Sequence, residues 1–163
     1  MYTQAASCYY FAGKYEDAVR CGEAAMKDEK TDTEATLWTG LAYYMLQDYK
    51  TGAQWLERAL NVDQSYCDKS EIGRILTRCY LLLGDYENAS GAATKGLAET
   101  GDKTGSGSSM TGEMYALRGA SYLSLGKYDS ALSDFYSAIA MGYSNAYEIY
   151  KQCTLCNFLL GDY

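Results

Sequence analysis

Histidine is absent from this 163-residue chain, and so is proline. Without histidine, Ser-His and Cys-His nucleophile arrangements and histidine metal clusters are excluded. Basic residues are scarce, 14 Lys and Arg against 21 Asp and Glu, for a net charge of -7. An acidic surface with no basic stripe repels phosphate, so a nucleic-acid partner is excluded. No apolar run approaches the about 18 residues of a membrane span, which argues against direct membrane insertion. What remains, 48% hydrophobic residues, is enough to bury a core.

The most informative feature present is a recurring corner: Gly13-Lys14-Tyr15-Glu16-Asp17-Ala18, Gly84-Asp85-Tyr86-Glu87-Asn88-Ala89 and Gly126-Lys127-Tyr128-Asp129-Ser130-Ala131. A weaker copy stands at Gln47-Asp48-Tyr49 and another at Gly161-Asp162-Tyr163. The spacing from corner to corner is 34, 37, 42 and 35 residues, the length of a helix, a tight turn and a second helix. Four residues before the corner come Tyr9, Tyr43, Tyr80 and Tyr122, and seven before it Ala6, Gly40, Thr77, Gly119 and Thr154. Five residues after it come Ala18, Gly52, Ala89 and Ala131, and twelve after it Ala25, Ala59, Gly96 and Ala138. These spacings gather small side chains on one face of each second helix, where a neighbouring helix comes close.

The order small, tyrosine, Gly-x-Tyr, alanine, aromatic, alanine resembles the tetratricopeptide repeat family. The aromatic of the second helix is matched by Phe135, loosely by Leu56, and not by Gly22 or Ala93; the proline that commonly closes such a repeat has no counterpart. The resemblance implies an all-α, right-handed superhelical solenoid of four helical hairpins plus one unpaired C-terminal helix. Repeats fall at about residues 1–32, 33–66, 70–103 and 112–145, with a partial one at 147–163, in a single repeat domain. The chain opens partway through a first helix and closes on a corner, so it reads as a piece of a longer protein. The Gly- and Ser-rich stretch 101–111 reads as a flexible connector that accounts for the 42-residue spacing. It lacks the ending of a phosphate loop.

Of six cysteines, Cys8, Cys79 and Cys156 stand five residues before their corners, where other repeats place Ala42 and Ser121. They read as small core residues. Cys153-x-x-Cys156 supplies two of the four ligands a structural zinc needs, so no metal and no cofactor are expected. Unpaired cysteines suit a reducing setting; the compartment reads as cytoplasmic, with the outer part of a membrane-anchored protein as the alternative. Glu34, Glu71, Glu113 and Glu148 each precede a corner by thirteen residues, beside capping candidates Thr33, Ser70 and Asn145. A carboxylate there stabilises the positive end of the helix dipole, and as a ladder the four would attract a basic partner.

Binding rather than catalysis is the expected function. In the resembled family, residues ten, six, three and two before each corner look into a concave groove. Here these are Thr3, Ser7, Tyr10 and Phe11; Leu37, Leu41, Tyr44 and Met45; Arg74, Arg78, Leu81 and Leu82; Ala116, Ala120, Leu123 and Ser124; and Lys151, Leu155, Phe158 and Leu159. Arg74 and Arg78, one turn apart, place like charges on one helix face. Either a partner's anionic group lies between them, with Trp38, Tyr44 and Met45 offering apolar contact alongside, or acids of the chain such as Glu71 satisfy them. Arg118 is basic where the frame prefers an apolar residue. The partner is a protein or peptide; the alternative is a homo-oligomer in which the unpaired C-terminal helix docks on another copy.

Overall fold

The computed structural model describes residues 2–28, 33–61, 68–100 and 108–161. Among them the secondary structure is entirely helical: α1 (Tyr2–Phe11), α2 (Tyr15–Asp28), α3 (Thr33–Met45), α4 (Tyr49–Asn61), α5 (Lys69–Leu83), α6 (Tyr86–Thr100), α7 (Ser108–Ser124), α8 (Tyr128–Ala140) and α9 (Ala146–Leu160). Each helix packs on the next in sequence, and the odd-numbered ones also meet one another, α1 with α3, α3 with α5, α5 with α7 and α7 with α9. The outcome is a helical repeat solenoid whose first helices form one layer and second helices the other.

The corners close each hairpin by one recurring device. Gly13, Gly84, Gly126 and Gly161 adopt φ of 73°, 73°, 72° and 82°, left-handed values that only glycine reaches without strain. The next N–H then reaches back to the preceding tyrosine's carbonyl: Lys14 to Tyr9, Asp85 to Tyr80, Lys127 to Tyr122. Asp48 closes on Tyr43 in the same way, but there the left-handed residue is Gln47, at φ 64°. Asp48 and Asp85 also accept from the N–H of Thr51 and Asn88, capping α4 and α6.

Within a hairpin, small meets large. A Cβ on Gly40 would lie 2.9 Å from Leu56, and one on Gly119 2.7 Å from the Phe135 ring. Leu56 and Phe135 are consequently sealed, each stabilising by about 1.5–3 kcal/mol. The third hairpin solves the same register differently. Ala93 stands where Phe135 does, and α5 and α6 instead meet through Gly73 and Gly96, where a Cβ on Gly73 would come 2.8 Å from the Gly96 Cα. Met114 of α7, fully buried, fills the space beside Gly96.

Three expectations need correction. Ser108 to Thr111 belong to the first turn of α7 rather than to the connector, and Gly112, the next residue, packs closely against Ala138, Met141 and Tyr143; residues 101–107 lie outside the described ones. Cys8 is exposed while Cys79 and Cys156 are buried, since among the described residues no helix packs over Cys8 as helices do over the other two. The cap of α5 is Asp68, which accepts from the Ser70 N–H at 3.0 Å; Ser70 is buried in the first turn. Asn145 does precede α9 but makes no side-chain cap bond, and the side chain of Thr33 lies outside the described ones.

Candidate functional site

The layer of first helices carries the rows of side chains singled out for the groove. Two residues before the corners, Phe11, Met45, Leu82, Ser124 and Leu159 are all exposed, whereas seven before the corners Ala6, Gly40, Thr77 and Gly119 are buried and Thr154 is exposed. Three before the corners, Tyr10, Tyr44, Leu81 and Leu123 are half-buried, and Tyr44 and Tyr10 pack on the core shared by the second and third hairpins. Leu41, six before its corner, is buried in that core and offers nothing to a ligand. It is one of a core cluster that also holds Leu56, Ile72 and Leu76, so this groove candidate is a packing residue.

Arg74 and Arg78 come together on α5 as the one-turn spacing requires, and two glutamates meet them. Arg74 Nε and Nη2 donate to Glu71 at 2.8 and 2.5 Å, and its Nη1 reaches both oxygens of Glu113 on α7 at 3.2 Å. Arg78 donates to Glu113 as well. The bond from Glu71 drives the Arg74 guanidinium further above its ordinary pKa, against the opposing effect of burial, with Glu113 adding to the rise. The glutamate ladder is thus put to use one member at a time. Glu71 and Glu113 hold the arginines, Glu148 accepts from Lys151 at 2.9 Å, and Glu34 accepts from the Trp38 indole N–H at 3.3 Å. Lys151 and Gln152 together lower the Glu148 pKa.

The first two hairpins add an aromatic cluster. Trp38 lies 5.3 Å from Tyr10 and 5.0 Å from Phe11 between ring centroids, and Tyr10 is 5.7 Å from both Phe11 and Tyr15. Burial raises the Tyr10 pKa, with Tyr15, the Glu71 carboxylate and Tyr44 adding to the effect. Met45 and Tyr44, on the next turn of α3, continue this apolar surface. Farther along, a cleft of about 290 Å³ opens between α7 and α9, lined by Ala116, Ala120, Leu123, Tyr143, Glu148 and Gln152.

Two features were missed from sequence. Tyr43 donates to Glu23 at 2.7 Å and Tyr80 to Glu57 at 2.5 Å, each tying a first helix to the second helix of the preceding hairpin. The signal was available, since Glu23 and Glu57 both stand ten residues after a corner. In the next repeat that position is Thr94, and Arg118 takes over the link. It donates to Asp134 through Nε and Nη2 at 2.7 Å each and to Thr94 at 3.2 Å, with its guanidinium 5.4 Å from the Tyr115 ring. The pair with Asp134 raises the Arg118 pKa over the contrary effect of burial. Arg118 is therefore a strut inside the fourth hairpin, remote in role from the Arg74 cluster.

No grouping of three or more potential metal ligands occurs among the described residues, and none of their helices is long and apolar enough to cross a membrane. Cys79, Cys153 and Cys156 are buried thiols; Cys67 lies outside the described residues. Burial pushes the Cys79 thiol up to about 12.

A solenoid of Gly-x-Tyr hairpins with a mixed polar and aromatic inner layer defines a helical repeat protein of the tetratricopeptide type. Residues 12–95, just over half of the chain, match the family described as anaphase-promoting complex, cyclosome, subunit 3, a tetratricopeptide-type repeat family, and the chain belongs to it. Among solved structures it is similar to the crystal structure of MamA protein, with TM-score 0.82 and 17% identity over 99% of this chain and 81% of that one. It is similar also to MamA MSR-1 (TM-score 0.75, 21% identity, 99% and 86% covered) and MamA AMB-1 (TM-score 0.78, 21% identity, 99% and 81% covered). No curated protein matches the sequence. Repeats of this type are generally non-catalytic protein-interaction scaffolds.

Proposed function

We propose that the chain is a non-catalytic scaffold module that docks a protein or peptide segment along the layer of first helices. The observation that carries this reading is the row two residues before the corners. Phe11, Met45, Leu82 and Leu159 repeat at one register and expose 74%, 42%, 58% and 44% of their surface. Single exposed apolar residues are ordinary, but a register-locked row on successive first helices, interrupted by Ser124 on the fourth, is a surface for a partner to cover. The Arg74–Glu71–Glu113–Arg78 cluster is a polar strip beside that row. Arg78, with Glu113 as its ion-pair partner, offers its remaining donors to an anionic group of the partner, in competition with Glu113.

The test is a display selection of peptides on the native chain, with each selected peptide remeasured by calorimetry against Met45→Glu/Leu82→Glu and Arg74→Ala/Arg78→Ala. Met45 and Leu82 lie largely on the surface, so circular dichroism of the first variant should be unchanged; the Arg74 side chain is only 17% exposed, so the same spectrum checks the fold of the second variant before its affinity is read. Loss of binding in the first variant supports the reading, and a weaker effect in the second assigns the arginines their share. Peptides that bind both variants as tightly as the native chain would move the site off this layer.

A second reading, self-association, has its own observation. Gly40 and Gly119 face their own second helices from seven residues before the corner, and Gly73 does so from eleven before. On α9 the matching positions are Thr154 and Tyr150, both exposed, and Tyr147 one turn earlier is 77% exposed. A second copy docking there would raise the solution mass, and Tyr150→Glu would return it to that of a monomer.

A further inference from the structure

Among the described residues, several rings carry one of the chain's own cations. Arg58 lies over Trp55, Arg118 over Tyr115 and Tyr122, Lys127 over Tyr122, and Lys151 over Tyr147, at 5.3 to 5.9 Å. The cluster of Tyr10, Phe11 and Trp38 is different. Among the described residues no lysine or arginine stands over any of its three rings, although Phe11 is 74% exposed and Trp38 is half-buried. The rings meet at interplanar angles of 44° to 78°, so they form the walls of a corner rather than a flat stack. Glu34 sits on its rim, fixed by the indole N–H of Trp38, and no cation among the described residues neutralises it.

Ring faces carry negative electrostatic potential, and a carboxylate beside them adds a full charge. A ligand that satisfies both at once is an alkylammonium or guanidinium group whose stem lies on the apolar walls. The acidic balance of the chain, net -7, favours the approach of the same sign of ligand. We propose that Tyr10, Phe11, Trp38 and Glu34 form a receptor for an arginine or lysine side chain of the docked partner. The inference rests on the reading of this layer as a docking surface, and it names the chemistry the surface selects at its first-hairpin end.

The test uses capped peptides Ac-Ser-Leu-Arg-Leu-Ser-NH2, its lysine counterpart and its uncharged citrulline counterpart, with the Trp38 indole N–H followed by NMR. The signal is assigned by its loss in Trp38→Phe. The arginine and lysine peptides should shift it, with the citrulline peptide binding about fivefold or more weakly. Phe11→Ala should weaken the cationic peptides about fivefold and Glu34→Gln about threefold, the latter effect fading at high salt. Phe11 buries little, so its loss leaves the fold standing; an unchanged circular dichroism spectrum checks this. Equal affinity for arginine and citrulline, or no effect of Phe11→Ala, overturns the receptor. If equal binding is also lost in Met45→Glu/Leu82→Glu, the docking surface survives without its cation site. No shift with any peptide up to about 10 mM overturns the receptor, and the display selection then decides the docking surface independently.

Discussion

Replacing Arg118 with methionine removes the strut of the fourth hairpin and leaves the Asp134 carboxylate without its partner. The side chains of Arg118 and Asp134 are 18% and 6% exposed, so solvent cannot take over the lost bonds. Two bonds of 2.7 Å disappear, and orphaning one member of a buried ion pair costs about 3–5 kcal/mol. Methionine keeps the contact with Tyr115 and Tyr122, so the expected loss is about 3 kcal/mol, or a fall in Tm of about 6–12 °C for a chain of this length. The exposed pair Lys127–Glu87, at 3.6 Å and at least half solvated on both sides, is the comparison; Lys127→Met should cost at most about 0.5 kcal/mol. Thermal melts followed by circular dichroism read both. Native-state hydrogen exchange should show the loss concentrated in α7 and α8, because a solenoid transmits stability only between neighbours. The double variant Arg118→Met/Asp134→Leu should recover to within about 1 kcal/mol of the native chain, since no charge is then left buried. An Arg118→Met loss below about 1 kcal/mol, or a double variant as unstable as the sum of the singles, would refute the account.

Gln47→Gly should stabilise the chain by about 0.5–1 kcal/mol in urea titration, because the left-handed backbone at φ 64° strains glutamine and not glycine; no gain would mean that the side chain makes up for the strain. Gly73→Ala places a Cβ 2.8 Å from the Gly96 backbone and should cost about 1–3 kcal/mol despite alanine's better helix propensity, measured in the same titration. Glu113→Gln should cost about 1 kcal/mol, since Arg74 keeps Glu71, and should strengthen calorimetric binding of any selected acidic peptide by freeing Arg78. The Cys79 thiol, raised from 9.0 to about 12, and the Tyr43 phenol, raised from 10.0 to about 12 by burial and by its bond to Glu23, stay protonated in the folded chain after the unfolded chain ionises. Their contribution is full below about pH 9 and falls as pH rises from about 9 towards 12, the unfolding free energy dropping by at most about 1.4 kcal/mol per pH unit for the buried Cys79 and by less for the partly exposed Tyr43, and the urea midpoint falling with it. A midpoint constant from pH 8 to about 11 would count against both burials.

The hairpin frame was legible because it depends on local chemistry that a single stretch of chain carries. Glycine at a left-handed turn, aspartate at a helix start and small residues at helical spacing each act within a few residues of themselves. The inner-layer row at Phe11, Met45, Leu82 and Leu159 followed from that frame by counting, and so did the one-turn spacing of Arg74 and Arg78. What spacing could not decide was which side chains meet across helices. Leu41 and Met45 are one turn apart on the same helix, yet one is sealed in the core shared by the second and third hairpins and the other is left exposed. Spacing along α5 does not show that α7 brings Glu113 beside Arg74 and Arg78, from 39 and 35 residues away. The missing aromatics at Gly22 and Ala93 also depend on neighbouring helices: a Cβ on Gly22 would already lie 1.8 Å from Thr39 Oγ1 of α3. In the third hairpin helix spacing is set by Gly73 against Gly96, and Met114 of the next hairpin supplies the bulk. Periodicity along one helix determines which residues share a face, whereas close packing between helices, a property of pairs distant in sequence, determines which of them a partner can still reach.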